Sequence, residues 1–490
     1  MDLSSNGDQV ELDRFVAWPC SANTRAEATV DHMTAAPLRI LVISNLYPPH
    51  HIGGYEIRCH EVVEGLKSRG HKLRVLTSTF GVTSKNCDGE VFRWLRHDFS
   101  EGSARHSSWV RAAFIIRNEW QNQRCLGRVL REFRPDVVFL WNPKHISMSL
   151  IPVTRAAGVP ICFSIDDDWL ARFKPDKDPW FRLWIRHGRN WPERMAKRLL
   201  RWSFTRAGLQ SEYGPEDYHH ALFVSHYMKN AALRAGRPVS DAEIIHGAVD
   251  TSAFRHRPRP GPPAPSRRLL YVGRLVYEKG VHDAIEALHV LRNIYGYRAI
   301  SLSIVGSGDP AYDAQLQDLT RARSLETAVR FLGSVARDRM PVVYQEHHIL
   351  LFPSLCPEGL PRAMLEAMSA GLVVVGTATG GGGEVLQHDT NSLIFPPGDA
   401  LACATQVRRL LESPSLFEMI RIHARRTVEE RFGMEVMLNH TEEALMCVAR
   451  EDPVIGARSR TERKADASLA GDDWRSRGCG PARTNVGRRP

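Results

Sequence analysis

The stretch EGLPRAMLEAMSAG at residues 358–371 lies between short apolar runs at 349–352 and 373–375. Short apolar runs bounded by turn residues are typical of buried strands, and their alternation with helices indicates a parallel sheet covered on both faces. Proline is favoured in the first turn of a helix, so we expect a helix that begins near Pro361. The stretch therefore predicts one strand–loop–helix–strand unit of an α/β fold.

Two carboxylates of this stretch lie eight positions apart, Glu358 on the predicted loop and Glu366 inside the predicted helix. The first N–H groups of a helix lack backbone partners and, together with the helix dipole, form a ready anion site. Carboxylates beside such a site are unfavourable unless they bind hydroxyl groups, and sugar hydroxyls meet that need. By itself the window is equally consistent with an amphipathic helix that carries two solvated glutamates.

The composition is that of a large globular protein. A chain of 490 residues exceeds what one hydrophobic core usually holds, so two domains are expected. No apolar run approaches the roughly 18 residues of a membrane span, and acidic residues near the start argue against a secretory signal. Nine cysteines without Cys-x-x-Cys spacing favour a reducing compartment. We therefore predict a cytoplasmic protein, for which Met33 is a candidate for the true start.

Strand and helix patterns divide the chain into two α/β halves, separated by a segment that carries five prolines. The terminal segments are poor in apolar residues, which is typical of disorder. The predicted regions are a disordered leader at 1–37, a first domain at 38–254, a proline-rich linker at 255–266, a second domain at 267–433, a closing helix at 434–450 and a disordered basic tail at 451–490.

Four motifs, in order between residues 38 and 435, resemble those of one known family. They are RILVIS at 39–44 with GGYE at 53–56, LYVGRL at 270–275 with EKG at 278–280, the Glu358–Glu366 pair, and TGGGGEV at 379–385. In these motifs the chain resembles the retaining nucleotide-sugar glycosyltransferases of family 4. The resemblance implies the GT-B architecture, in which two Rossmann-like domains face each other across a cleft and the closing helix packs back on the first domain.

The resemblance also implies a donor site. A guanidinium fork and an ammonium suit a diphosphate, glycine lets backbone approach it, and a carboxylate accepts hydrogen bonds from ribose hydroxyls. The implied donor-binding residues are Gly53, Gly54, Arg274, Lys279, Gly359, Leu360 and Glu366. Glu358 would contact the transferred sugar and stabilise positive charge at its anomeric carbon. Surface loops without a role are the alternative for Arg274 and Lys279, and an ordinary strand-to-helix turn is the alternative for the glycines.

The clearest departure from the family follows the apolar run 161–165. Many relatives have His-Asp-x-Trp there, whereas this chain reads DDDW, with Asp166 in the place of the histidine. Aspartate accepts bonds from sugar hydroxyls but cannot act as a cation, so Asp166 joins Glu358 as a predicted catalytic residue, with a helix N-cap as its alternative role. The resemblance implies no metal ion and no cofactor.

Between Trp169 and Arg206 five tryptophans interleave with eleven lysines or arginines. Aromatic and basic residues together suit a membrane interface or an anionic, lipid-linked acceptor. The alternative is a set of core tryptophans beneath a solvated basic face. Nucleic acid is not an expected partner, because no recognition fold accompanies the net charge of +10.

The sequence thus predicts a metal-independent, retaining glycosyltransferase that uses a nucleotide-diphosphate sugar. Its acceptor would be a glycan, a lipid-linked molecule or a small molecule in polysaccharide or glycoconjugate biosynthesis, reached in the cytoplasm or at the inner face of the membrane. Because fold does not fix function, a sugar-nucleotide epimerase and a catalytically degenerate binding protein stay open as alternatives. The sequence does not specify the sugar, the base or the acceptor.

Overall fold

The computed structural model describes residues 36–82, 89–97, 108–185, 191–214, 218–255 and 267–451. Within them the strands form two separate sheets, one of seven and one of six strands, in which all strand pairs are parallel. This confirms the predicted α/β class with two Rossmann-like domains. The leader, the linker and the tail that the sequence predicts lie almost wholly outside the described residues.

The first sheet consists of β1 (Arg39–Ser44), β2 (Lys72–Ser78), β3 (Val91–Leu95), β4 (Val137–Asn142), β5 (Ile161–Ile165), β6 (Ala221–Phe223) and β7 (Glu243–Ile244). Its strand order is β3-β2-β1-β4-β5-β6-β7. The helices of this half are α1 (Gly54–Ser68), α2 (Ser108–Phe133), α3 (Leu150–Ala156), α4 (Trp169–Arg172), α5 (Pro179–Ile185), α6 (Trp191–Arg206) and α7 (His226–Arg234). Strand β4 reads VVFLWN and is buried throughout, as expected of a parallel strand covered on both faces.

The second sheet consists of β8 (Arg268–Val272), β9 (Ser301–Val305), β10 (Val329–Gly333), β11 (Ile349–Phe352), β12 (Val373–Gly376) and β13 (Ser392–Ile394). Its order is β10-β9-β8-β11-β12-β13. The helices are α8 (Val281–His289), α9 (Pro310–Ala322), α10 (Met340–Gln345), α11 (Arg362–Ser369), α12 (Ala400–Glu412), α13 (Pro414–Arg431) and α14 (Met434–Glu451). Helix α11 starts one residue later than Pro361, which occupies the N-cap with an extended backbone.

Helix α14 follows the second domain in the chain but packs on the first. Its residues Leu438 and Leu445 are buried in one cluster with Ile40 of β1. Gly65 lets α1 approach this helix, because a Cβ there would lie 2.5 Å from the Leu438 Cδ1. His71 adds a polar contact, with its Nε2 2.9 Å from Glu442. The two domains are therefore joined by a shared helix as well as by the loops between them.

No helix among the described residues combines the length and hydropathy that crossing a bilayer requires.

Candidate functional site

The predicted site residues lie at the carboxyl ends of strands, where parallel α/β sheets bind their ligands. Gly53 is the N-cap of α1 and Gly54 its first residue, and Asp166 directly follows β5. On the second sheet, Arg274 follows β8, and residues 358–360 lie between β11 and α11. The loops from the two sheets touch, since a Cβ on Gly359 would lie 2.6 Å from the Asp166 carbonyl oxygen.

Lys279 and Glu358 form an ion pair, with the Lys279 Nζ 2.6 Å from a Glu358 carboxylate oxygen. Lys279 ends a short 3₁₀ turn that closes at Gly280 with a φ of 64°. A Cβ on Gly280 would overlap the Pro353 carbonyl, so only glycine lets this turn pack on the end of β11. The other Glu358 carboxylate oxygen is buried and has no hydrogen-bond partner among the described residues. That oxygen is therefore a hydrogen-bond acceptor that no described residue uses.

Arg274 lies on the same edge of the second sheet, and its side chain is exposed to solvent. Its carbonyl accepts a 3.0 Å hydrogen bond from the Tyr271 hydroxyl, which holds the loop against β8. Gly306 and Gly308 pack so closely on this loop that a Cβ on either would overlap one of its carbonyl oxygens. The loop is thus fixed, while the guanidinium at its tip is free to reach an anion.

Glu366 is buried and already bonded. The Tyr344 hydroxyl donates to it at 3.0 Å, and the guanidinium groups of Arg337 and Arg362 pair with the same carboxylate. Arg362 also forms a two-bond pair with Glu61 of α1, at 2.8 and 2.9 Å. A ribose hydroxyl would therefore have to share or displace a bond at Glu366, and the more exposed of the two arginines is Arg337.

Asp166 forms a buried ion pair with Arg58 of α1. Its carboxylate also accepts a 3.1 Å hydrogen bond from the Ser164 hydroxyl, and the Arg58 guanidinium lies 5.4 Å from the Trp141 ring centroid. Burial raises the pKa of Asp166, although the neighbouring Arg58 acts to lower it. Burial likewise lowers the pKa of Arg58. The position where many relatives have histidine thus carries the Asp166 carboxylate, and the cationic side chain of Arg58 is paired with it.

Asp166 does not occupy the helix N-cap that the sequence allowed as its alternative role; that position is held by Asp168, whose side chain makes no capping bond. Asp168 directly precedes α4, and Asp167 accepts the Trp169 N–H at 3.1 Å. Asp167 also accepts a bond from the Asn142 side chain at 2.9 Å. Burial raises the pKa of Asp167 to about 6, and the adjacent carboxylates Asp166 and Asp168 add to the rise.

Gly54 allows two helix N-termini to meet between the sheets. A Cβ on Gly54 would lie 3.1 Å from the Arg362 Cδ, at the first residue of α11. The Gly53 N–H donates to Glu56 at 3.0 Å, which satisfies one of the unpaired donors of α1. Because helix N-termini attract anions, their approach to each other favours negative charge between the two loops.

Two further contacts of the second domain reach the first. Glu384 accepts the N–H groups of His226 at 3.0 Å and Tyr227 at 2.8 Å, at the start of α7. Burial acts to raise the pKa of Glu384, but these bonds and that of His246 hold it below its ordinary value. Leu360 packs on buried residues of both domains.

Sequence reasoning missed several of these residues, namely Arg58, Glu61, Arg337, Tyr344 and Glu384. A local signal existed for the first two, since positions 54, 58 and 61 share one face of a helix. For Arg337 and Tyr344 there was none, because their partners are distant in the sequence. Glu384 lies in the TGGGGEV motif at 379–385, but the motif was not used to assign it a role.

Comparison with known proteins agrees with this arrangement. The family model for glycosyl transferases group 1 matches residues 253–427, and the model for Glycosyltransferase Family 4 matches residues 52–253. A glycogen synthase of Mycobacterium tuberculosis is 26% identical over 431 residues, which cover 84% of this chain and 95% of that protein. The amylovoran biosynthesis glycosyltransferase AmsK of Erwinia amylovora is 29% identical over 229 residues, 46% of this chain and 55% of that protein.

Solved structures show the same fold. HepE of Anabaena, in complex with UDP and glucose, has a TM-score of 0.55 at 18% identity and covers 84% of this chain and 100% of its own. Sucrose-phosphate synthase of Thermosynechococcus elongatus has a TM-score of 0.61 at 16% identity, over 83% of this chain and 98% of its own. With one glycosyltransferase model matching each domain and two parallel sheets facing through their carboxyl ends, this chain is a glycosyltransferase of the GT-B fold.

Proposed function

We propose that this enzyme is a retaining hexosyltransferase that takes its sugar from a nucleotide-diphosphate donor and needs no metal ion. The observation that carries the proposal is the Lys279–Glu358 pair, whose 2.6 Å contact leaves one buried carboxylate oxygen without a partner among the described residues. Glu358 accepts a hydroxyl of the transferred sugar through that oxygen. Similarity to HepE, which was solved with UDP and with UDP-glucose, supports a donor of this class.

The chemistry that the site has to perform is stabilisation of a departing diphosphate. Negative charge grows on the leaving group as the bond to the sugar breaks, and fixed charges aimed at it stabilise the transition state. Lys279 lies within ion-pair distance of Glu358 and supplies a point charge. Arg274, exposed at the tip of a fixed loop, closes on the diphosphate as a fork. These two cations stabilise the negative charge of the departing diphosphate, in the role that a metal ion plays in other enzymes.

The remaining donor contacts follow from the same loops. The N–H groups of Gly359 and Leu360 face the phosphates, whereas Pro361 has none to donate. Glu366 binds the ribose once Arg337 moves from its carboxylate to the donor. Gly53 and Gly54 bring the start of α1 over the diphosphate, and closure of the domains excludes water that would hydrolyse the donor.

We propose that Asp166 serves the sugar site through Arg58, which it holds in place, as well as through its own carboxylate. Retention follows the mechanism that the family resemblance implies, with same-face attack and a donor phosphate oxygen that takes the acceptor's proton. The proposed partners are the nucleotide sugar and a glycan or lipid-linked acceptor, without nucleic acid. The proposed place of action is the cytoplasm or the inner face of the membrane, with a peripheral contact within residues 169–206.

Thermal shift of the purified chain with UDP, GDP, ADP, dTDP and their sugars, with EDTA present, tests this proposal. A ligand at a hundredfold excess over its dissociation constant stabilises a protein by about 2.7 kcal/mol. We expect one nucleotide to act selectively and Lys279→Ala to weaken its binding by about 1.5–3 kcal/mol, as for a lost charged hydrogen bond. Lys72→Ala, at an exposed position on β2, is the matched control.

An activity assay with the same donors, alongside the thermal shift, separates the alternatives. Glu358→Gln should retain nucleotide binding but lose turnover with acceptor extracts. Conversion of the donor without any acceptor would indicate an epimerase, and tight binding without turnover would indicate a degenerate protein. If no nucleotide shifts the wild-type midpoint, or only does so when metal is added, the proposal as stated is wrong.

A further inference from the structure

The aromatic and basic segment between Trp169 and Arg206 is divided by the structure into two parts. Trp169 and Trp180 are 4% and 1% exposed and belong to the core of the first domain. Trp184 packs edge-on against Trp180, with the ring centroids 5.2 Å apart. In contrast, Trp191 and Trp202 are 70% and 58% exposed, and both lie on α6. Of the tryptophans of the segment, the two exposed ones therefore lie on this helix.

Helix α6 carries an outward apolar stripe. Residues at 191, 195, 199 and 202 share one helix face because their spacing is four, four and three. The residues there are Trp191, Met195, Leu199 and Trp202, exposed by 70%, 37%, 60% and 58%. The helix is anchored through another face by Phe204, whose ring packs on Trp184 at 5.6 Å. The stripe is thus not the face that holds α6 to its domain.

Arginines accompany the stripe. Arg194 and Arg198 lie beside it on the helix, at spacings of three from Trp191 and Met195, and both are exposed. Arg206 lies at its C-terminal end, with the guanidinium 4.9 Å from the Trp202 ring centroid. The sequence of α6, WPERMAKRLLRWSFTR, holds five basic residues and one acidic residue. The surface is therefore apolar and positively charged at once.

This combination is typical of helices that lie in the plane of a membrane interface. Such helices bury their apolar face at the boundary of headgroups and acyl chains, and basic residues beside that face contact anionic headgroups. Tryptophan prefers the same depth, because its ring is apolar and its N–H polar. At 16 residues α6 is about 24 Å long, shorter than the roughly 30 Å of a hydrocarbon core, so lying on the membrane is its only membrane mode.

We infer that α6 docks this enzyme on a bilayer that contains anionic lipid, with Trp191, Met195, Leu199 and Trp202 inserted. The positive charge around the stripe favours a membrane that contains anionic lipid over a neutral one. The inference specifies the membrane contact of the proposed function and gives the enzyme access to acceptors held in the bilayer. It depends on the proposed function only for what happens after docking, because binding to lipid requires no donor.

Co-sedimentation of the full chain with vesicles tests it, using phosphatidylcholine alone and a mixture with 30% phosphatidylglycerol, without nucleotide. We expect partition into the anionic vesicles at least tenfold above that into the neutral ones, and a marked decrease in 0.5 M NaCl. Trp191→Ala/Trp202→Ala should lower partition at least tenfold, and Arg194→Glu/Arg198→Glu should abolish the preference for anionic lipid. Leu401→Ala/Ile422→Ala removes side chains of similar exposure, 56% and 57%, from the second domain and should bind as wild type.

Every variant is first checked for an unchanged thermal midpoint and, where a nucleotide binds the wild type, an unchanged shift. Loss of vesicle binding with the nucleotide response intact keeps failure of docking separate from failure of the donor site. Equal binding of wild type and the tryptophan variant would overturn the inference. It would also be overturned if the wild type ignored vesicles and instead formed dimers that Trp191→Ala/Trp202→Ala dissociates.

Discussion

At the scale of single residues, the site is organised by pairs of opposite charge. Asp166 is paired with Arg58, and Glu358 with Lys279. The sequence motifs had assigned both members of the second pair to the site, but they did not include Arg58. A buried charge is tolerated when a partner and hydrogen bonds compensate its lost hydration. Each pair is therefore both a structural element and a source of fixed charge for the ligand.

The Arg58–Asp166 pair allows a test of this view. Arg58→Met leaves the Asp166 carboxylate buried without its cation, and we expect unfolding to become easier by about 3–5 kcal/mol. Arg58→Met/Asp166→Asn removes both charges and should recover part of that loss. Urea denaturation of the three proteins measures the coupling. Arg426→Met, at an exposed pair with Glu430, serves as the control and should unfold like wild type. An Arg58→Met protein as stable as wild type would show that the pair does not carry this energy.

At the scale of elements, helix α2 buries a carboxylate beside a cavity of the first domain. Glu119 accepts hydrogen bonds from the hydroxyls of Ser147 at 2.7 Å and Ser149 at 2.6 Å. The neighbouring cavity of about 290 Å³ is also lined by Trp169 and Lys144. Burial raises the pKa of Glu119 to about 7, although the two hydroxyls act against this. A carboxyl of this kind links the stability of the helix to pH near neutrality.

The sign of that link is fixed by the raised pKa. Between the unfolded value near 4.3 and about 7, the folded state binds the Glu119 proton more tightly, so this group favours folding at low pH and the effect is lost as pH rises. We expect Glu119→Gln to remove the loss of stability at high pH that Glu119 causes. The variant should then be more stable than wild type at pH 8.5 by up to roughly 3 kcal/mol. Melting at pH 5 and at pH 8.5 measures the difference. Glu132→Gln changes an exposed carboxyl on the same helix and should show the same pH dependence of stability as wild type. If Glu119→Gln shows that dependence too, the prediction is wrong.

At the scale of the whole molecule, the two domains are held together by bonds between distant parts of the chain. Glu61 of α1 pairs with Arg362 of α11, 301 positions away, and Glu384 bonds the start of α7 at a separation of 157. Helix α14 adds a packed apolar contact to the first sheet. Opening of the domains would break the first two contacts, whereas the packing of α14 on the first sheet would not have to change.

We therefore expect Glu61→Gln/Glu384→Gln to shift the molecule towards an open arrangement with a larger radius of gyration in small-angle X-ray scattering. Acid should do the same in the wild type: the pKa of Glu384 is lowered in the fold, so its contribution is present above its ordinary pKa and lost as pH falls below it. Glu412→Gln, which loses a contact within the second domain, is the control. Identical scattering of the double variant and wild type would show that these bonds do not hold the domains closed.

Local signals explain which features of the fold could be predicted. Strands β5, β11 and β12 coincide with the short apolar runs at 161–165, 349–352 and 373–375 that the sequence analysis identified. The strands not foreseen, β3, β7 and β13, lie at sheet edges or have only two or three residues. An edge strand is covered less completely and needs no continuous apolar run, so it leaves a weaker pattern.

The sequence by itself determined the alternation of strands and helices and the two domains, and its motifs predicted a glycosyltransferase with Lys279 and Glu358 on loops of one site. Those features arise from local spacing, glycine and proline, whose effects extend over a few residues. Only the tertiary structure decided that Arg58 accompanies Asp166, that Glu366 already has partners, and that Trp191 is exposed while Trp180 is buried. Pairing and burial depend on which distant segments pack together, and composition within one segment does not encode that.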